Sequence, residues 1–324
     1  MVLLMRRAAL IGIFFLVSLA PFLAPLSAHA YSGLLQIALS PQYPQPGETV
    51  TLTAEGYPTD TLTYVWRVDG DTVLQGIGQK VLSLSAGSAG NARLVTLFVI
   101  RNGTTVDIAT ATVRPASLDL LWEGETSVPP FYAGRPLPNA QSEVTILAVP
   151  HITVGKTEVP ASNLIYAWKQ DGAPIKGSAG YGKSSVTLLP PTFGQPFVVS
   201  VHAETLDGVA AEESVTITPQ DPRLVVYEDA PLVGIRLEKN VPSAFQLTGD
   251  EVSFSAFPVF VGSPSTLSYR WTLDGAPFSV DPARPGDVTF RKVGTDSGSH
   301  PISVSFTNPA RFLEKAVTSF TLTF

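Results

Sequence analysis

The sequence predicts an all-β chain: three tandem β-sandwiches behind an N-terminal targeting segment. Three observations carry this expectation. The pattern L-x-Y-x-W-x-x-D-G occurs three times, as Leu62 to Gly70, Leu164 to Gly172 and Leu267 to Gly275, with its tryptophans at Trp66, Trp168 and Trp271. A repeat at one period means one structural unit copied along the chain. Beyond the first thirty residues, short alternating runs separated by Gly, Asn and Asp turns replace any helical period. The chain also has no cysteine, and both methionines (Met1 and Met5) lie in the first thirty residues. The body therefore holds no disulfide, thiol nucleophile, zinc-thiolate site or iron–sulfur cluster.

In chain order, residues 1–30 read as a secretory signal. Arg6 and Arg7 form a basic start, Ala8 to Ala20 is an apolar run, Pro21 and Pro25 break any helix, and Ala28-His29-Ala30 is a small-x-small cleavage site before Tyr31. The competing reading is an uncleaved anchor, for which the run before Pro21 is short against the ~20 residues a span needs. Either way the body is expected outside the cytoplasm. Removing this segment leaves 19 Lys and Arg against 27 Asp and Glu, a balance of −8. That acidity argues against nucleic acid as a partner.

Each repeat then follows one plan. An alternating strand comes first: Val50, Leu52 and Ala54; Val144, Ile146 and Ala148; Val252, Phe254 and Ala256. In the motif strand, Leu, Tyr and Trp at i, i+2 and i+4 share one face, because strand side chains alternate. Trp66, Trp168 and Trp271, with Tyr64, Tyr166 and Tyr269, are the expected structural core. Asp-Gly turns the chain into the next strand, since both residues tolerate positive φ. A glycine (Gly90, Gly194, Gly298) precedes a further strand, and a last strand ends near Val113, Ile217 and Leu322.

With Y-x-W-x-x-D-G followed by a glycine turn, the copies resemble immunoglobulin-like domains, most closely the PKD type. That resemblance implies a two-sheet sandwich for each copy, with the motif on its third strand and the glycine turn before its sixth, and says little about function. In the third copy, Asp296-Ser297-Gly298-Ser299-His300-Pro301-Ile302 places His300 where immunoglobulin domains carry a corner tyrosine and Ile302 where they carry a cysteine. The expected boundaries are 31–115, 116–221 and 222–324. Arg114-Pro115 and Thr218-Pro-Gln-Asp-Pro222 form short, proline-stiffened linkers, so a rod is expected.

Copies two and three open alike, Leu120-Leu121-Trp122-Glu123 against Val225-Val226-Tyr227-Glu228, and each then runs over twenty residues before its next strand. Such an insert either binds a ligand or covers an edge strand. The edge-covering reading is preferred. Trp122, Phe131 and Tyr132 are the candidate binding surface.

Catalytic chemistry finds little support. His151, His202 and His300 are too far apart in sequence for a local metal motif. Asp296-Ser297-Gly298 has no accompanying base. Asp69-Gly70-Asp71 could be half a calcium site, but Ala173 and Ala276 replace the second acid in the other copies. Asn102-Gly103-Thr104 fits a glycosylation acceptor and, better, a hairpin turn. No catalytic, metal or cofactor residue is expected. The expected function is a non-enzymatic extracytoplasmic scaffold, adhesion or surface-assembly protein whose partner is a protein or glycan at the cell surface. The membrane enters only through an uncleaved N-terminal segment. The alternatives are a carbohydrate- or wall-binding protein and, behind it, a secreted hydrolase.

Overall fold

A computed structural model describes residues 33–58, 60–191, 194–294 and 297–324. The expected signal segment and Asp296 lie outside the described residues. The chain is three successive β-sandwiches of the immunoglobulin-like or fibronectin-III-like kind.

The first domain has seven strands: β1 (Gln36–Ser40), β2 (Thr49–Glu55), β3 (Thr63–Val68), β4 (Asp71–Ile77), β5 (Val81–Ser85), β6 (Arg93–Arg101) and β7 (Thr104–Val113). They form a back sheet β1-β2-β5 and a front sheet β4-β3-β6-β7. The second domain has β8 (Ser117–Gly124), β9 (Val144–His151), β10 (Thr153–Val154), β11 (Thr157–Glu158), β12 (Ile165–Gln170), β13 (Ala173–Pro174), β14 (Gly180–Tyr181), β15 (Ser185–Leu188), β16 (Phe197–Glu204) and β17 (Ala210–Ile217). Its back sheet is β15-β9-β8 and its front sheet β13-β12-β16-β17, with β14 also pairing β12 and β10-β11 forming a small hairpin. The third domain has β18 (Arg223–Ala230), β19 (Gly234–Ile235), β20 (Ala244–Gln246), β21 (Glu251–Val259), β22 (Ser268–Leu273), β23 (Ala276–Phe278), β24 (Asp287–Arg291), β25 (Ser299–Asn308) and β26 (Arg311–Thr323). Its sheets are β19-β18-β21-β24 and β20-β26-β25-β22-β23.

The motif strands β3, β12 and β22 sit at the middle of the three front sheets, and their alternation buries the expected faces. Trp66, Trp168 and Trp271 are at most 1% exposed. Each indole also needs a partner for its N–H, and each finds one at an equivalent place. Trp66 donates to the Gln79 carbonyl (2.8 Å), Trp168 to Lys183 (2.8 Å) and Trp271 to Pro285 (3.1 Å). The next residue along, Lys80, Ser184 or Gly286, accepts the backbone N–H of Ala54, Ala148 or Ala256. The indole thus ties the front sheet to the chain entering the back sheet. A phenylalanine would fill the space and leave that carbonyl without its donor.

Tyr64 and Tyr166 are fully buried, and their phenolic oxygens have no hydrogen-bond partner among the described residues. Burial raises the pKa of both and pushes Tyr269 up to about 12, with Asp287 adding to the shift.

The Asp-Gly turns follow the prediction, with Asp69, Asp171 and Asp274 at φ 54°, 49° and 51°. In the first two domains the aspartate Oδ1 accepts a neighbouring strand's N–H, from Leu94 (2.9 Å) and Val198 (2.8 Å). In the third domain the equivalent residue is Pro301, whose carbonyl accepts the Asp274 N–H but which has no N–H to give back. The His300 ring replaces it, with Nδ1 2.8 Å from Asp274 Oδ2. This turn contact accounts for the histidine at the position of the corner tyrosine.

Candidate functional site

The two inserts behave differently. The third domain's insert folds onto its own domain: β20 pairs in parallel with β26, and Val241 N–H donates to the Val226 carbonyl (2.8 Å). It extends the front sheet past β26, as the edge-covering reading expects.

The second domain's insert, residues 125–143, turns back at Gly124, where any Cβ would collide with Pro138. It then packs on the third domain. Ser127 N–H donates to the Val261 carbonyl (2.6 Å), and Phe260 N–H donates to the Ser127 carbonyl (3.1 Å). Phe131 lies edge-on to Tyr227 (5.4 Å) and Phe257 (5.1 Å), and Tyr132 edge-on to Phe260 (5.7 Å). Arg223 reaches over the Phe260 ring at 6.0 Å.

A buried polar knot lies beside these rings. The Glu314 side chain is fully buried. Its Oε1 accepts hydrogen bonds from Asn139 Nδ2 (2.9 Å), Gly262 N (2.9 Å) and Arg311 Nη1 (3.0 Å), and its Oε2 accepts one from Asn308 Nδ2 (2.7 Å). Asn139 Nδ2 also donates to the Phe260 carbonyl (2.8 Å). Leu313 N–H donates to Gln141 Oε1 (2.7 Å). Burial raises the Glu314 pKa, but the bonds from Asn139, Asn308, Arg311 and Gly262 outweigh it, and the net shift is downward. A buried carboxylate is tolerated only with such a full set of donors. A Cβ on Gly262 would meet the Arg311 guanidinium and push it from its place beside Glu314. Phe260 sits at φ 61° while only 3% exposed. That strained backbone, costing on the order of 1–3 kcal/mol, is held by Ser127 and Asn139 from the other domain.

The three aromatic residues of the candidate binding surface therefore occupy three settings. Trp122 points inward from β8, packs on the second domain's core, and is capped by the Arg135 guanidinium at 3.6 Å. Phe131 is half-buried in the ring cluster. Tyr132 keeps 36% of its surface exposed. The structure brings Phe131 and Tyr132 together with the third domain and leaves Trp122 inside the second.

The contact between the first and second domains is thinner. Ala116 N–H donates to the Pro44 carbonyl (3.1 Å), and Tyr43 packs on His202 at 4.7 Å. Gln45 Nε2 lies 3.5 Å from Glu213, and Arg114 Nη1 lies 3.4 Å from the Gly208 carbonyl. Gly90 forms one bridge with Val154, where a Cβ would strike the Gly155 carbonyl.

The remaining sequence candidates have structural roles. Asp69 accepts from Leu94 N–H and Arg93 Nε, which hold its carboxyl below the usual range. His151 pairs with Asp119 at 3.1 Å on the surface. Among the described residues, no group of three or more His, Cys, Asp or Glu is arranged to hold a metal, and no helix is long and apolar enough to cross a membrane.

No family model matches the chain. Among solved structures, it is similar to the three N-terminal domains of the bacteriophage RB49 Highly Immunogenic Outer Capsid protein, at 18% identity over 89% of this chain and 97% of that one, with TM-score 0.26. It is similar also to the central fibronectin-III array of RIM-binding protein, at 11% identity over 89% and 95%, TM-score 0.30. A third is the fibronectin(III)-like modules of Clostridium thermocellum CbhA, at 16% identity over 61% and 93%, TM-score 0.22. The fold assignment rests on the chain's own sheets, and these likenesses carry nothing about activity.

Sequence reasoning missed Glu314, Asn139 and Phe260. One signal was available. Glu314 shares its parity on β26 with Phe320 and Leu322, both buried, so an acid stands where alternation demands a core side chain. Asp107, on β7, is fully buried too. It accepts from Leu35 N–H (3.2 Å) and the Tyr57 hydroxyl (3.1 Å) within the first domain.

Proposed function

We propose that the chain is a non-enzymatic extracytoplasmic scaffold of PKD-type immunoglobulin-like domains, secreted through its N-terminal segment and acting in adhesion or assembly at a bacterial cell surface. The observation that carries this reading is the use of the second domain's insert. Its backbone and rings join two domains, which is what a spacer requires. The repeated sandwiches, the basic-apolar N-terminus with its small-x-small end and the acidic body all fit. A protein or glycan at the surface is the partner under this reading. Size-exclusion chromatography with small-angle scattering tests it. An elongated particle with three resolved lobes supports the scaffold; one compact globule contradicts it.

A further inference from the structure

The two junctions treat charge differently. At the second, Glu314 meets its donors inside the protein. At the first, a cavity of about 250 Å³ lies between the domains. Asn91, between β5 and β6, and the linker residues Arg114 and Pro115 form one side of it. Val154, in the β10–β11 hairpin, and Asp207 and Val209, after β16, form the other. Domain interfaces are a preferred place for small-ligand sites.

The lining is of two kinds. Pro115 and Val209 are buried and, with Val154, make an apolar wall. The charged residues are Arg114 and Asp207, of opposite sign, yet no ion pair joins them among the described residues. Arg114 Nη1 lies 3.4 Å from the Gly208 carbonyl, and the rest of its five-donor fork is uncommitted among those residues. Asn91 donates Nδ2 to Ser88 Oγ (2.7 Å), which leaves its Oδ1 as an acceptor. The Thr153 hydroxyl adds another.

We propose that this cavity binds a free aliphatic α-amino acid, and that the bound amino acid closes the first joint. The ligand's carboxylate takes the Arg114 fork, a geometry that guanidinium and carboxylate share. Its ammonium has three donors, for Asp207, Asn91 Oδ1 and the Thr153 hydroxyl. Its side chain lies against Pro115, Val154 and Val209. A ligand of one sign would leave the opposite charge in the cavity unmatched. The volume is just under the ~300 Å³ at which pockets for drug-sized ligands begin, which suits a single amino acid. Because the walls belong to two domains, the ligand binds the closed joint better than the open one and draws the joint toward closure. So small a ligand reaches about millimolar affinity.

The absence of cysteine gives a direct test on the full chain. Spin labels at Thr72→Cys and Lys169→Cys, exposed sites on the two domains, report the joint by pulsed electron resonance. L-Leucine should narrow their distance distribution, with half the effect at about 1 mM. Leucinamide keeps only the ammonium and 4-methylpentanoate only the carboxylate, and each should need roughly tenfold more. Arg114→Gln and Asp207→Asn should each raise the leucine requirement roughly tenfold, with unchanged circular dichroism. Asp207 makes no side-chain bond across the joint among the described residues, so Asp207→Asn reports the ligand and not the joint itself. A distribution unchanged by leucine at about 50 mM overturns the proposal. So do equal responses to leucine and its two single-charge analogues, or a leucine response indifferent to Asp207→Asn.

Discussion

The two junctions join the same kind of domain through linkers of similar stiffness, yet they are built differently. At the second, a nineteen-residue insert (125–143) crosses to the neighbour with paired backbone, two aromatic rings and the Asn139 amide that completes the donor set of a buried carboxylate. At the first, contact rests on one backbone bond, one isolated bridge between Gly90 and Val154, one ring pair and longer polar contacts among exposed groups. Linker composition says how stiff the covalent path is; the surfaces beside it decide whether the domains move. The second and third domains should therefore behave as one unit, with the first attached through a looser joint.

The comparison can be broken most forcefully at Glu314. Glu314→Ala strands Asn139, Asn308 and the Arg311 guanidinium, and should cost about 3–5 kcal/mol. Calorimetry should then show the shared transition of the second and third domains split in two, while the first domain's transition stays in place. Phe131→Ala removes the ring between Tyr227 and Phe257 and should cost about 2–3 kcal/mol, less than a fully enclosed phenylalanine. Differential scanning fluorimetry would register it on the same transition. Tyr43→Ala, at the first junction, should change stability by less than about 1 kcal/mol while widening the spread of angles between the first two domains in scattering.

Acid gives a gentler probe. The folded-state pKa of Glu314 is lowered, so its contribution is fully present above the ordinary carboxylate range and is lost only as pH falls through the lowered value. The second junction should thus survive mild acid that already protonates exposed carboxylates, and loosen below it. A scattering titration in which this junction opens first, at or above the usual glutamate pKa, would contradict the Glu314 geometry.

Much of the fold could be read in advance. The i, i+2, i+4 spacing of Leu, Tyr and Trp placed three buried indoles, and the Asp-Gly pairs placed three turns, because both signals are local and repeat. The role of the inserts could not be read the same way. Residues 125–143 and 231–250 have similar lengths and follow like openings, and only the shape of the surface each meets sends one home and the other across. Glu314 was visible as an acid on a core-facing parity, but its donors, Asn139 and Gly262, lie 175 and 52 residues away. No periodicity reaches that far. Phe131 and Tyr132 stood out as aromatic residues without revealing that Tyr227, Phe257 and Phe260 would meet them.

The most direct test uses the cysteine-free chain again, with paired spin labels and pulsed electron resonance. Lys169→Cys with Thr307→Cys reports the second junction, and Thr72→Cys with Lys169→Cys the first; all three sites are exposed. The account predicts one narrow distance distribution for 169–307 and a broader one for 72–169, with Glu314→Ala broadening only the former. Equal widths for both pairs, or a 169–307 distribution indifferent to Glu314→Ala, would contradict it.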